Sequence, residues 1–201
     1  MQGHFSKLSN VCLRGLYLSD DDVALLRVLP HLTILNLSST GISNNALHHL
    51  VCHHKSLTGL NISENQQITD DARFTLGALD NLTVIYLRGT NMSMGGLRQL
   101  ALNVLPKKCR IFSIPVAAIN LLQKMQGKYC DFIPPGYIDD ASKVEHLTLA
   151  ALKKNLELHA KYGEVSLTGN KVDLVHRLKA LLTNRRGDMR LVEILGPPKD
   201  E

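Results

Sequence analysis

The densest run of side chains able to do chemistry is His48-His49-Leu50-Val51-Cys52-His53-His54. On a helix His48 and Cys52 lie four residues apart, as do His49 and His53, so each pair shares a face opposite Ala46 and Leu50. Two such pairs can capture a transition metal adventitiously. A structural zinc site, however, normally draws ligands from two elements to complete its tetrahedron. The expectation is an exposed polar helix face, with no metal and no cofactor. Asp20-Asp21-Asp22 precedes Val23 and a helical stretch, where carboxylates suit the positive end of the helix better than they suit a cation. Arg186-Gly187-Asp188 resembles an integrin tripeptide by spelling only. Nothing in the chain has the form of a P-loop, a dinucleotide glycine fingerprint or a Ser/His/Asp constellation in context. A non-enzyme with no small-molecule substrate is expected.

A second kind of chemistry is charge. From Leu147 to Arg186 there are eight bases (Lys153, Lys154, Lys161, Lys171, Arg177, Lys179, Arg185, Arg186) against three acids (Glu157, Glu164, Asp173), a balance of +5 that equals the net charge of the whole chain. Lys107, Lys108 and Arg110 form a smaller cluster elsewhere. Inside the basic window, Thr168-Gly169-Asn170-Lys171 stands just before a helical stripe. A glycine there lets the backbone approach a ligand closely, a helix N-terminus offers amides and a positive dipole end, and Lys171 adds a point charge. That combination suits weak, salt-sensitive contact with phosphates rather than reading of bases. The plainer alternative is a solvated basic surface on a protein-docking module.

The elements that must carry these groups follow from internal repetition. Leu13-Arg-Gly-Leu16-Tyr-Leu18, Leu32-Thr-Ile-Leu35-Asn-Leu37, Leu57-Thr-Gly-Leu60-Asn-Ile62 and Leu82-Thr-Val-Ile85-Tyr-Leu87 share the form L-x-x-L-x-L, in steps of 19, 25 and 25 residues. A weaker copy, Cys109-Arg-Ile-Phe112-Ser-Ile114, comes 27 residues later. Apolar residues alternating with x predict half-buried strands. After the second, third and fourth copies come helical stripes: Ile42 with Ala46, Leu47 and Leu50; Ile68 with Ala72, Leu76 and Leu79; Met92 with Leu97 and Leu100. Ser43, Thr69 and Ser93 precede them as N-caps.

A strand and a helix per period near 25 resembles the leucine-rich repeats, and Gln67-Ile-Thr-Asp-Asp-Ala72 looks most like the ribonuclease-inhibitor or cysteine-containing subclasses. The resemblance covers residues 11 to about 115. It implies a short α/β solenoid with parallel strands inside and helices outside, in which the leucines fill the core and the x residues make a concave face. The columns of that face are Gly15, Ile34, Gly59, Val84 and Ile111; Tyr17, Asn36, Asn61, Tyr86 and Ser113; and Ser19, Ser38, Ser63 and Arg88. Being nearly uncharged, it suits a protein segment better than a polyphosphate. Tyr17, Ile34, Asn36, Asn61, Val84, Tyr86 and Arg88 are its expected contacts, unless the chain's own C-terminal part covers it. Solenoid ends need caps; Pro115–Lys128 is the candidate at one end and Met1–Asn10 at the other.

Asp131-Phe-Ile-Pro-Pro-Gly-Tyr-Ile-Asp-Asp140 breaks the pattern and marks a boundary. Beyond it, Leu149, Leu152 and Leu156 form one helical stripe, and Leu174, Val175, Leu178, Leu181 and Leu182 another. Leu147-Thr-Leu-Ala-Ala-Leu152-Lys-Lys-Asn-Leu156 followed by Thr168-Gly-Asn-Lys171-Val-Asp-Leu174-Val-His-Arg177-Leu178 resembles the SAP family of DNA-binding modules. The stretch between Leu156 and Gly169 is a few residues longer than that family's pattern. The resemblance implies a small helix-loop-helix domain whose second helix meets phosphates, through Lys153, Lys154, Lys161, Thr168, Gly169, Asn170, Lys171, Arg177, Arg185 and Arg186. The expected organisation is 1–130 for the repeats with their end caps, 131–143 for a linker, 144–186 for the SAP-like module and 187–201 for a tail.

Composition agrees with this division. Hydrophobic residues make up 44% and charged residues 20%, as in an ordinary globular chain, while aromatics at 4% and the lack of Trp call for a core of Leu, Ile, Val and Ala. No apolar run reaches the roughly 20 residues of a membrane span, so no membrane partner is expected. Cys12, Cys52, Cys109 and Cys130 fit neither a disulfide framework nor paired zinc ligands, and are expected to be reduced in an intracellular protein. The nucleus is the expected compartment. Acid-free Met1–Leu18, faintly like a presequence, makes the mitochondrion the alternative. The expected role is an adaptor that holds a protein by its repeats and DNA, or RNA in a ribonucleoprotein, by its SAP-like module. The alternative is a purely structural subunit of a large assembly, and a ubiquitin-ligase substrate receptor is a more distant third.

Overall fold

A computed structural model describes residues 7–105, 108–124, 133–160 and 165–195. Lys161, Lys107, Cys130, Met1–Ser6 and residues 131–132 and 196–201 of the sequence-based expectations lie outside them. The chain divides into two compact units, residues 1–119 with 190–201, and residues 120–189.

The first unit is α/β. Its five strands, β1 (Asn10–Cys12), β2 (Ile34–Asn36), β3 (Gly59–Asn61), β4 (Val84–Tyr86) and β5 (Arg110–Ser113), form one parallel sheet in sequence order. Each of the first four is followed by a short helix: α1 (Asp20–Ala24), α2 (Asn44–His48), α3 (Ala72–Gly77) and α4 (Met94–Gln99). α1 and α2 run on into 3-10 turns at Leu25–Val28 and His49–His53, and α4 into a π turn at Leu100–Val104. The middle residues Leu35, Leu60 and Ile85 pair in register and are fully buried. At ~1.5–3 kcal/mol for each such side chain removed from water, these rows drive the stacking.

The first strand corrects the expected register. Val11, not Leu16, pairs with Leu35, and Asn10 and Cys12 pair with Ile34 and Asn36. The first copy is therefore Leu8-Ser-Asn-Val11-Cys-Leu13, which restores a step of 24 residues to Leu32 in place of 19. Backbone geometry explains why the competing frame fails. A left-handed residue recurs seven positions into each copy, at Gly15, Ser39, Glu64 and Gly89, with φ between 57° and 75°. The frame beginning at Leu13 would move this turn off Gly15. Gly15 and Tyr17 thus leave the sheet columns, and Tyr17 is 99% exposed beyond the strand.

The fifth copy departs by one residue. A bulge follows Ile85, so Ile111 pairs with Ile85 and is buried, while Ser113 still faces Tyr86. Ile111 belongs to the core, and Phe112 takes the free position.

Side chains repeat with the strands. Thr33, Thr58 and Thr83 donate their hydroxyls to the carbonyls of Ser9, Thr33 and Thr58 at 3.0, 3.1 and 3.0 Å. Asn65, 1% exposed, accepts at Oδ1 from Thr40 N (3.1 Å), Gly41 N (2.8 Å) and Thr40 Oγ1 (3.3 Å). Its Nδ2 donates to the carbonyls of Leu37 (2.8 Å), Ile62 (3.0 Å) and Ser63 (3.2 Å). One amide therefore joins two turns.

The helix starts are linked in the same way. Asp20 accepts from Ser43 N and Oγ, and Asp70 accepts from Ser93 N and Oγ at 2.7 and 2.6 Å. Asn44 exchanges hydrogen bonds with Thr69 N (3.1 Å) and Oγ1 (2.8 Å). Ser43 and Ser93 cap α2 and α4 as expected, accepting from Asn45 N and Gly96 N. Thr69 does not cap α3, whose N-cap is Asp71 with no side-chain bond. α1 carries a capping box between Ser19 and Asp22, and these bonds hold the Asp22 carboxyl below its usual range.

The second unit holds a 3-10 turn at Ala141–His146 and α6 (Leu149–Ala160), with α5 (Val116–Lys124) spanning the unit boundary before them. α7 (Lys171–Ile194) follows, and its residues from Arg190 group with the first unit. Residues 187–194, expected as tail, continue this helix. Val144, Leu152, Leu156, Leu174, Leu178 and Leu182 form a buried core, with Ile138, Ala141 and Leu147 packed against it. Asn155 ties the preceding segment to α6, accepting from Ile138 N and donating to the Ala151 carbonyl, each at 2.9 Å. Asp188 is 1% exposed within α7, so the Arg186-Gly187-Asp188 spelling is not an accessible loop.

Candidate functional site

Two surfaces carry the expected contacts. On the sheet of the first unit, Ile34 is 48% exposed, and Val84 and Tyr86 are half-buried. The Tyr86 ring stacks on Phe112, centroids 5.5 Å apart. The bulge in β5 creates that pair, and no feature of the sequence signals it. A cluster of aliphatic and aromatic groups results, without charge among them. Arg88 lies at its border with Nε 3.6 Å from the Glu64 carboxylate, both side chains exposed. Asn36 and Asn61 turn inward on their own chain. Their Oδ1 atoms accept from Ser38 N and Ser63 N, each at 3.0 Å, closing Asx turns. These two asparagines shape the strand ends as well as lining the face.

The second surface belongs to the helical unit. Lys153 and Lys154 on α6, Thr168, Gly169 and Asn170 before α7, and Lys171 and Arg186 on it are all exposed. Lys154 Nζ stands 5.0 Å from the Tyr137 ring centre. Two expected phosphate ligands serve other ends. Arg177 donates from Nη1 to the carbonyls of Ser166 (2.7 Å) and Thr168 (2.9 Å), clamping the loop. Arg185 is half-buried, and its charge helps to depress the pKa of buried His159.

Where α7 begins, the expected open anion site is closed by the chain itself. Asn170 Oδ1 accepts from Asp173 N and Asp173 Oδ2 accepts from Asn170 N, both at 3.0 Å. One N-terminal amide is occupied, and a carboxylate already neutralises the dipole end. Gly169, at φ +126°, is required by this cap, since a Cβ there would crowd Asp173. The glycine thus has a folding role independent of any ligand. A shallow depression of about 530 Å³ beside the cap is lined by Val172, Asp173, His176, Arg177 and Ala180, an acid facing bases. Phosphate contact is left to the exposed side chains Lys153, Lys154, Lys171 and Arg186.

The histidine run separates into unrelated roles. α2 ends at His48, and the 3-10 turn that follows breaks the four-residue spacing on which the pairs depended. His48 Nδ1 bonds the Thr75 hydroxyl at 3.0 Å, Cys52 Sγ donates to the His49 carbonyl, and His53 is buried. Among the described residues no three His, Cys, Asp or Glu side chains converge as metal ligands. Nor is any described helix long and apolar enough to cross a membrane. Burial pushes the Cys109 thiol up to about 12, which removes it as a nucleophile at neutral pH.

His53 and His159 have a consequence for stability. Burial lowers the pKa of His53, partly offset by its hydrogen bond to the Leu26 backbone, and burial with the Arg185 charge lowers that of His159. No hydrogen-bond partner meets either ring nitrogen of His159. Below the unfolded value of about 6.5, the unfolded chain binds more protons than the folded one, so stability falls with pH. Urea midpoints should be level from pH 8 to 7 and decline from about 6.5 downward. His159→Met should flatten that decline; an unchanged slope would remove His159 as a cause.

No protein-family model matches the chain, and no curated protein matches it.

Proposed function

We propose that the chain is a non-catalytic adaptor: a short leucine-rich-repeat solenoid that holds a protein segment on its sheet face, joined to a SAP-like helical unit that holds nucleic acid. The observation that carries this reading is the segregation of surface character. The apolar Ile34, Val84, Tyr86 and Phe112 surround no free charge on the sheet, whereas Lys153, Lys154, Lys171 and Arg186 are exposed on the helical unit. An uncharged aromatic-aliphatic patch suits a protein, and flexible lysines suit a phosphate backbone. Register agreement of four parallel strands at a 24- or 25-residue step supports the repeat family. A helix, a loop held by Arg177 and a second helix support the SAP-like reading.

A second reading has an observation of its own. The Asn170–Asp173 box sets an acid where the SAP resemblance calls for phosphate, which favours a unit that docks only on protein. Salt dependence separates the two. Titrating the full chain with duplex DNA and with single-stranded RNA should give log K falling with log salt at a slope near −3, about −0.9 per phosphate neutralised. Lys171→Glu should weaken binding several-fold and make that slope shallower. No retention of either nucleic acid at low salt would leave the structural-subunit reading.

A further inference from the structure

The two edges of the five-stranded sheet differ. Beyond β5 the chain closes its own edge, because Leu195 bridges Ile111 in parallel and Arg110 Nη1 donates to the Glu193 carbonyl at 3.0 Å. The adjoining core is sealed, with Cys109, Ile111 and Ile114 buried. β1 has a strand neighbour on one side only.

Repeat position shows what is open there. Leu8 stands where Leu32, Leu57 and Leu82 stand, Val11 where Leu35, Leu60 and Ile85 do, and Leu13 where Leu37, Ile62 and Leu87 do. Every one of those inner counterparts is 0–1% exposed. In the first copy Leu8 is 39% exposed and Val11 and Leu13 are half-buried. Leu16 occupies the position of the buried Thr40, Asn65 and Thr90, yet is 54% exposed, and Tyr17 beside it is bare. The apolar cross-section of the unit therefore ends in solvent, next to unpaired strand backbone. An open edge of this kind is a template for another chain.

Charge indicates which chain. Lys7, exposed, comes just before β1, and Asp21 and Asp22, exposed, come just after the Leu16–Tyr17 loop. A basic entrance and an acidic exit on one edge are self-complementary when a copy is turned by a two-fold axis, as an isologous contact demands. Antiparallel pairing of β1 with itself sets Leu8 against the partner's Leu16 and Tyr17. The same rotation sets Lys7 against the partner's Asp21 and Asp22. We propose that this end of the sheet is a two-fold interface with a second copy of the chain, continuing the sheet across β1.

Sedimentation equilibrium of the full chain tests it. A concentration-dependent dimer is expected, weakened by high salt. Leu16→Glu, at an exposed position, should raise the dimer dissociation constant about tenfold or more with the circular dichroism spectrum unchanged. Should that variant misfold, Lys7→Glu gives the same reading through charge, and Lys7→Glu combined with Asp21→Lys and Asp22→Lys should restore the dimer. A chain that stays monomeric at all concentrations, or a dimer indifferent to these changes, overturns the proposal. So does capture of an unrelated protein at this end by a monomer.

Discussion

Asn65→Ala is expected to destabilise the first unit by on the order of 3–5 kcal/mol, among the largest costs a single polar substitution can have. The asparagine amide makes six contacts between two neighbouring turns, and its surroundings admit no water. Truncation strands the amides of Thr40 and Gly41 and removes the donor from the Leu37, Ile62 and Ser63 carbonyls. Each buried group left unpaired costs about 1–3 kcal/mol, with some overlap because the turns can relax. Two comparisons separate this account from simple loss of volume. Asn65→Asp is nearly isosteric but turns an acceptor toward three carbonyls, and should be at least as damaging as alanine. Thr40→Val removes the hydroxyl bonds to Leu37 and Asn65 alone, and should cost about 1 kcal/mol. Urea unfolding with an unchanged m-value is the measurement. An aspartate variant as stable as the parent would sink the hydrogen-bond explanation.

Asn65 also marks the limit of what the repeat pattern can reveal. Strands β2, β3 and β4 were legible because their leucines recur at 25-residue steps and each must meet its counterpart across 4.8 Å or so of parallel sheet. β1 was not, because Leu13-Arg-Gly-Leu16-Tyr-Leu18 satisfies the same spelling as Leu8-Ser-Asn-Val11-Cys-Leu13. Equal spacing discriminates between them, and so does the left-handed turn at Gly15. A pattern of apolar residues alone cannot, since a shifted strand still alternates. The β5 bulge is less legible still. Inserting Phe112 between Ile111 and Ser113 leaves no trace in composition, yet it supplies the aromatic pair at the centre of the sheet surface.

In the helical unit the residue types were legible and their employment was not. A basic window tells how many cations there are. It does not tell that Arg177 spends its fork on the carbonyls of Ser166 and Thr168, or that Lys179 pairs with Glu145 at 2.7 Å. Asp173 was counted only as one acid among eight bases. Its position three residues after Asn170 is the signature of a reciprocal cap, and that spacing was available in the sequence. The histidine run failed for a related reason. Its pairing assumed an α-helix throughout, and a change to 3-10 geometry at His49 re-aims every later side chain.

Leu178→Ala is expected to unfold the helical unit in a large fraction of molecules while strands β2 to β4 hold. Leu178 is fully buried in a core of only six such residues. Large-to-small truncation at such a site costs about 2–5 kcal/mol, and a unit of this size has only roughly 4–10 kcal/mol of stability in all. Little else can compensate. α6 has 12 residues, a length that is marginal for a helix without tertiary support, and the loop before α7 depends on Arg177 from the same helix. Amide exchange therefore ought to accelerate along α6 and leave the sheet protected, with any affinity for nucleic acid lost in parallel. Val172→Ala on the outer face of α7, 75% exposed, ought to change stability by less than about 0.5 kcal/mol. If α6 kept its protection in the Leu178 variant, the unit would have to draw its stability from something other than this leucine core. The assignment of Lys153 and Lys154 to a surface organised by that core would then fall with it.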